Sequence, residues 1–176
     1  MKSILILLTL CSFIFADDDY GYFSKNKPGV KPVNNELYMN ECASCHFGYQ
    51  PGLLPKKSWH KLMTNLSDHF GTDASLEKED YDKIYNYIME NSAEKAMEYK
   101  RSRRMVNSLA GYASEDIIAI TKVPYFIKKH REIPKRLIVQ DKVKTLSNCT
   151  ACHTTAQKGI YSERAIKIPG YGRWDD

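Results

Sequence analysis

Cys42-Ala43-Ser44-Cys45-His46 returns far down the chain as Cys149-Thr150-Ala151-Cys152-His153, and no other feature restricts the possible folds as much. Two thiols separated by two residues reach two vinyl groups on one edge of a porphyrin, and the histidine that follows is placed to ligate the iron beneath its face. Half of the pattern has other uses. A zinc ribbon brings its two cysteine pairs about 15–20 residues apart, whereas here a whole domain separates them. A redox dithiol occurs once, in a strand-helix setting, and needs no adjacent histidine. Two copies, each closed by histidine, point to two haem c attachment sites through Cys42, Cys45, Cys149 and Cys152. A shared four-cysteine zinc site is the alternative.

The opening of the 176-residue chain, Met1-Lys2-Ser3 followed by an apolar run from Ile4 to Phe15 and then Ala16, has the layout of a secretory signal. The run is shorter than the roughly 20 apolar residues of a membrane span. Cleavage after Ala16 is expected, with an uncleaved anchor as the competing reading because Ile14, not a small residue, stands two places earlier. Cys11 lacks the small preceding residue of a lipoprotein site, having Leu10 instead. Five cysteines then divide cleanly: one leaves with the signal and four form thioethers. The expected location is the periplasm, where bacterial haem c is attached. The formal net charge of +5 would be nearly cancelled by haem propionates, so it argues poorly for nucleic-acid binding.

Residues 17–33 read as an irregular arm, 34–98 as an N-terminal haem lobe, 99–113 as a basic connector and 114–176 as a C-terminal haem lobe. The predicted fold is mainly α, a cytochrome c-type helical arrangement with much irregular loop. Asn34 or Asn35 caps a helix running into the first motif. A second helix spans about 56–70, with an apolar stripe through Trp59, Leu62, Met63, Leu66 and Phe70 on which His69 falls. A third begins at Asp73 or Ser75. Lys95 to Arg104 reads as a solvated connector, with a partner-docking patch or a propionate clamp as alternatives. Ser114 opens another helix, and Pro124 starts its successor, which carries His130. Residues 131–139 are predicted to be extended, and Asp141 to cap a last helix before the second motif.

Beyond His46 and His153, the sequence offers His60, His69 and His130 as axial ligands, in competition with Met39, Met63, Met89, Met97 and Met105. His69 and His130 lie on apolar faces against which a haem can pack, so His69 is assigned to the iron of His46 and His130 to that of His153. Crossed pairing stays open. Two imidazoles imply lower potentials than a His/Met pair. His60 reads as a surface residue.

Several segments beyond the haem motifs resemble the small soluble bacterial dihaem cytochromes c called DHC. They are Tyr38 to His46 with Tyr49, Leu53-Leu54-Pro55 and Ser58-Trp59; Leu66-x-x-His69-Phe70-Gly71 with Ala74-Ser75-Leu76; Pro124-Tyr125-Phe126 through His130 to Pro134; and Asn148 to His153, Ala156, Gly159 and Ile168-Pro169-Gly170. The resemblance implies a bis-histidine dihaem electron carrier with His69 and His130 at matching positions, and partners among periplasmic redox proteins, including an oxygen-binding monohaem cytochrome. Rival readings are a haem enzyme or gas sensor with one open iron, and a subunit of a larger oxidoreductase complex.

Overall fold

The computed structural model describes residues 28–174; the proposed signal, Cys11 and most of the irregular arm lie outside that range. The described residues form short helices joined by turns, in the order α1 (Glu36–Cys42), α2 (Lys56–Met63), α3 (Lys78–Asn91), α4 (Lys100–Ser108), α5 (Pro124–His130) and α6 (Lys135–Ile138). A two-stranded antiparallel ribbon follows, β1 (Lys167–Ile168) with β2 (Gly172–Arg173). No described helix is long and apolar enough to cross a membrane.

Each helix starts where the chain supplies a local reason. Asn35 caps α1, its Oδ1 accepting from the Tyr38 N–H at 2.8 Å, and Tyr38 turns into the core, where its hydroxyl donates to the Tyr49 carbonyl at 2.6 Å. Asn35→Ala is expected to cost about 1 kcal/mol, readable as a lower denaturation midpoint with unchanged haem content. The Glu94 carboxylate, from beyond α3, accepts the first N–H of α2 at 2.9 and 3.0 Å, which places negative charge at the positive end of the helix dipole. Pro124 occupies the first turn of α5, where its missing N–H costs nothing. The core is made by Trp59 and Met63 of α2, Ile84, Ile88 and Met89 of α3, Met105 of α4 and Phe126 of α5, with Val30, Leu54 and Val123 between them.

Six sequence expectations need correction. The second helix stops at Met63, because the Thr64 hydroxyl bonds back to the His60 and Lys61 carbonyls and competes with the helical ladder. A 3-10 turn, Leu66–Asp68, replaces its last part. The third helix waits until Lys78, since Asp73 accepts from the Ser75 N–H at 2.9 Å and holds a turn there. The predicted Ser114 helix is reduced to two 3-10 turns, Ser114–Asp116 and Ile120–Lys122. Lys100 to Arg104 belongs to α4, with Ser102 and Met105 buried, and is not a solvated strand of chain. Residues 135–138 are helical, with Pro134 preceding the first turn, and the stretch after Asp141 forms turns through Lys144 at φ +67° in place of a helix.

The two ends of the described chain meet. The N–H groups of Gly29 and Val30 both donate to the Gly159 carbonyl, at 2.8 and 3.1 Å, and Gly29 returns its own carbonyl to the Arg101 N–H at 2.8 Å. Gly159 has φ +68°, and a Cβ there would lie 2.2 Å from the Val30 carbonyl oxygen. Only glycine fits both the backbone sign and the space.

Candidate haem sites

The first C-x-x-C-H runs off the end of α1. Cys42 closes the helix and is half-buried, Cys45 is exposed, and His46 follows with its Nδ1 hydrogen-bonded to the Phe47 carbonyl at 2.8 Å. That bond leaves Nε2 as the nitrogen available for a metal and fixes the ring's orientation. Opposite it stands His69, on the turn after Leu66–Asp68, held by reciprocal backbone bonds with Thr72. Phe70 at φ +54° and Gly71 at φ +88° make that turn sharp. The His46 and His69 rings are nearly parallel, 22° apart, with centroids 6.1 Å from each other. Burial, then the nearby His46, lower the His69 pKa, which favours the neutral ring that binds iron. Its Nδ1 is buried without a hydrogen-bond partner.

The second site is more enclosed. Cys149 is buried at the start of a single 3-10 turn, Cys149–Ala151, and burial pushes its thiol up to about 12; that of Cys42 is pushed up to about 11. His130 ends α5, its Nδ1 bonded to the Phe126 carbonyl at 2.8 Å and its ring stacked on Phe126 at 3.9 Å. The His130 and His153 centroids are again 6.1 Å apart, with the rings crossed at 72°. Burial first, then His130 and Arg101, lower His153 to about 4. A cavity of about 980 Å³, counting its open mouth, contains both cysteines and both histidines and is walled largely by apolar side chains, including Leu53, Met105 and Val143.

These dimensions fit haem. An iron bound through imidazole nitrogens on both faces at about 2 Å each puts the ring centroids about 6 Å apart, and both pairs stand at 6.1 Å. The zinc alternative finds no support, since no three or more His, Cys, Asp or Glu side chains gather as a metal cluster among the described residues. His60 points elsewhere: it is exposed, with its Nδ1 on the Tyr85 hydroxyl at 2.8 Å. Met63 and Met89 are core residues.

Sequence reasoning missed the residues that join the two sites. The Tyr49 ring packs 5.2 Å from His46, and its hydroxyl donates to the Ser147 carbonyl at 2.7 Å, two residues before Cys149. Next to it the buried Gln50 donates to the Ala156 carbonyl at 2.6 Å and accepts from the Tyr161 hydroxyl at 2.7 Å. Tyr161 in turn lies 5.3 Å from His153. A recess beside His46 is even lined by Thr150 of the other motif. A lone glutamine in a loop gives no sign in the sequence that it will tie two distant segments together. Arg101 was visible only as one of a basic run, yet it lines the second cavity.

The sequence model of the family described as DHC, dihaem cytochrome c, matches residues 38–161. No curated protein sequence matches the chain. Among solved structures, the dihaem cytochrome c of Shewanella baltica OS155 is 36% identical, with a TM-score of 0.64, covering 80% of this chain and 98% of its own. A dihaem cytochrome c from Rhodobacter sphaeroides is 34% identical, with a TM-score of 0.63, covering 75% of this chain and 100% of its own. On these matches, the first of which spans both C-x-x-C-H motifs, the chain belongs to the DHC family of dihaem cytochromes c and carries two covalently bound haem c groups.

Proposed function

We propose that this protein is a periplasmic one-electron carrier with two low-potential bis-histidine haems. In this reading Cys42 and Cys45 hold one haem between His46 and His69, and Cys149 and Cys152 hold the other between His130 and His153. The observation that carries it is the convergence of two histidine pairs, each 23 residues apart in sequence (46 to 69 and 130 to 153), on the same 6.1 Å separation. Bound haem supplies an Fe(III)/Fe(II) couple.

The chain's own residues supply the rest. The Phe47 and Phe126 carbonyls accept from the Nδ1–H of His46 and His130, which raises the basicity of each ring and fixes its plane. A histidine on each face leaves no position for a substrate, which favours electron transfer over haem catalysis. The electrons pass between other periplasmic redox proteins, an oxygen-binding monohaem cytochrome among the suitable partners. The secretory layout of residues 1–16 supports the location.

Low-temperature EPR of the holoprotein tests ligation. The wild type is expected to show two low-spin ferric signals and no CO binding when reduced. His69→Ala and His130→Ala should each convert one haem of the two to high spin, and His60→Ala neither. CO binding by the reduced wild type, or a low-spin spectrum that survives both substitutions, would retire the assignment in favour of a haem enzyme or sensor.

A further inference from the structure

We propose that Arg101 grips the propionate edge of the haem held by Cys149 and Cys152, and that its fixed positive charge raises the potential of this haem. The proposal rests on the reading that His130 and His153 ligate that haem.

The Arg101 side chain is only 14% exposed and is fixed at every level. Its backbone N–H is bonded to Gly29, whose missing side chain leaves room for the arginine stem; a Cβ at Gly29 would come within 2.7 Å of the Arg101 Cγ. Its guanidinium donates to the Tyr125 hydroxyl and, at 2.9 Å, to the Tyr161 carbonyl, and lies over the Tyr125 ring. These partners are neutral. The one carboxylate among the described residues lining the cavity, Glu163, sits 4.0 Å from Arg101 but 2.6 Å from Lys129, so it pairs first with the lysine. All three line the cavity with His130 and His153. Two cations therefore share one carboxylate at a partly desolvated site, a balance that calls for a further anion. The guanidinium fork matches a carboxylate, and the only anionic groups on a haem are its propionates.

A cation close to iron opposes the extra positive charge of Fe(III), so it favours Fe(II) and raises the potential. Burial keeps that effect from being screened by salt.

EPR-monitored redox titration of the dihaem holoprotein tests this, with each midpoint assigned through the single-haem high-spin signals of the His69→Ala and His130→Ala variants. In Arg101→Met the midpoint of the second haem should fall while the first stays in place, and Arg101→Lys, which keeps charge but not the fork, should lie between. Glu163→Gln removes the competing anion and should raise the same midpoint, so a variant of opposite sign decides the matter should Arg101→Met not fold. Unmoved midpoints, or two that move together, would overturn the proposal. Loss of low-spin ligation in the wild type would instead overturn the reading beneath it.

Discussion

Replacing Cys149 and Cys152 together by serine is expected to yield a protein with one haem whose second half is loosened. The enclosed part of the cavity they line measures about 100 Å³. Left as dry void it would cost about 2 kcal/mol at about 24 cal/mol per Å³. That is a large share of the whole stability of a domain, about 5–15 kcal/mol. Leu53, Met105, Phe126 and Val143 wall this space and lose the contacts that a large apolar body between them would make. The measurements are haem per polypeptide, far-UV circular dichroism and limited proteolysis. A protein that keeps one haem, its full helicity and wild-type resistance to cleavage after residue 114 would contradict the idea that the cofactor serves as core.

A single added methyl should do comparable harm at Gly159. Its φ of +68° already costs an L-residue about 1–2 kcal/mol, and the new carbon would meet the Val30 carbonyl oxygen at 2.2 Å. That oxygen belongs to backbone and cannot swing away. Relief means losing one or both of the bonds from Gly29 and Val30, at about 1 kcal/mol each, so Gly159→Ala is expected to cost about 3 kcal/mol or more in total. Gly111→Ala is the control: its φ is +86° but nothing lies within 4 Å of the would-be Cβ, so only the backbone term applies. Denaturation midpoints of the two holoproteins should differ clearly. Equal shifts would mean that the Val30 contact carries no weight.

How far the sequence could be read depended on how local the cause was. The Asn35 cap and the Pro124 start act within one turn, and α1 and α5 were legible from them. So was the packing of His130 on Phe126, although Ile127, the other apolar residue of the predicted face, is exposed. The break in α2 turns on one Thr64 hydroxyl choosing backbone carbonyls over the helical ladder, a choice that the apolar stripe conceals. The four basic residues of 100–104 suggested exposure because charge ordinarily stays in water. Arg101 is mostly covered because Tyr125, Tyr161 and Glu163, residues 24 to 62 positions further on, receive it. Nothing in the stretch itself announces those partners. The same holds for Gln50, whose two bonds reach Ala156 and Tyr161.

The wall formed by Tyr49, Gln50, Ser147 and Tyr161 also sets terms for biogenesis. Because it closes one attachment site against the other, and Cys149 is only 9% exposed once it has closed, the stitching machinery has to finish with the second motif while the polypeptide is still open. A cell that delivers porphyrin slowly would thus accumulate unfolded, protease-sensitive precursor, with little compact product that lacks the second haem.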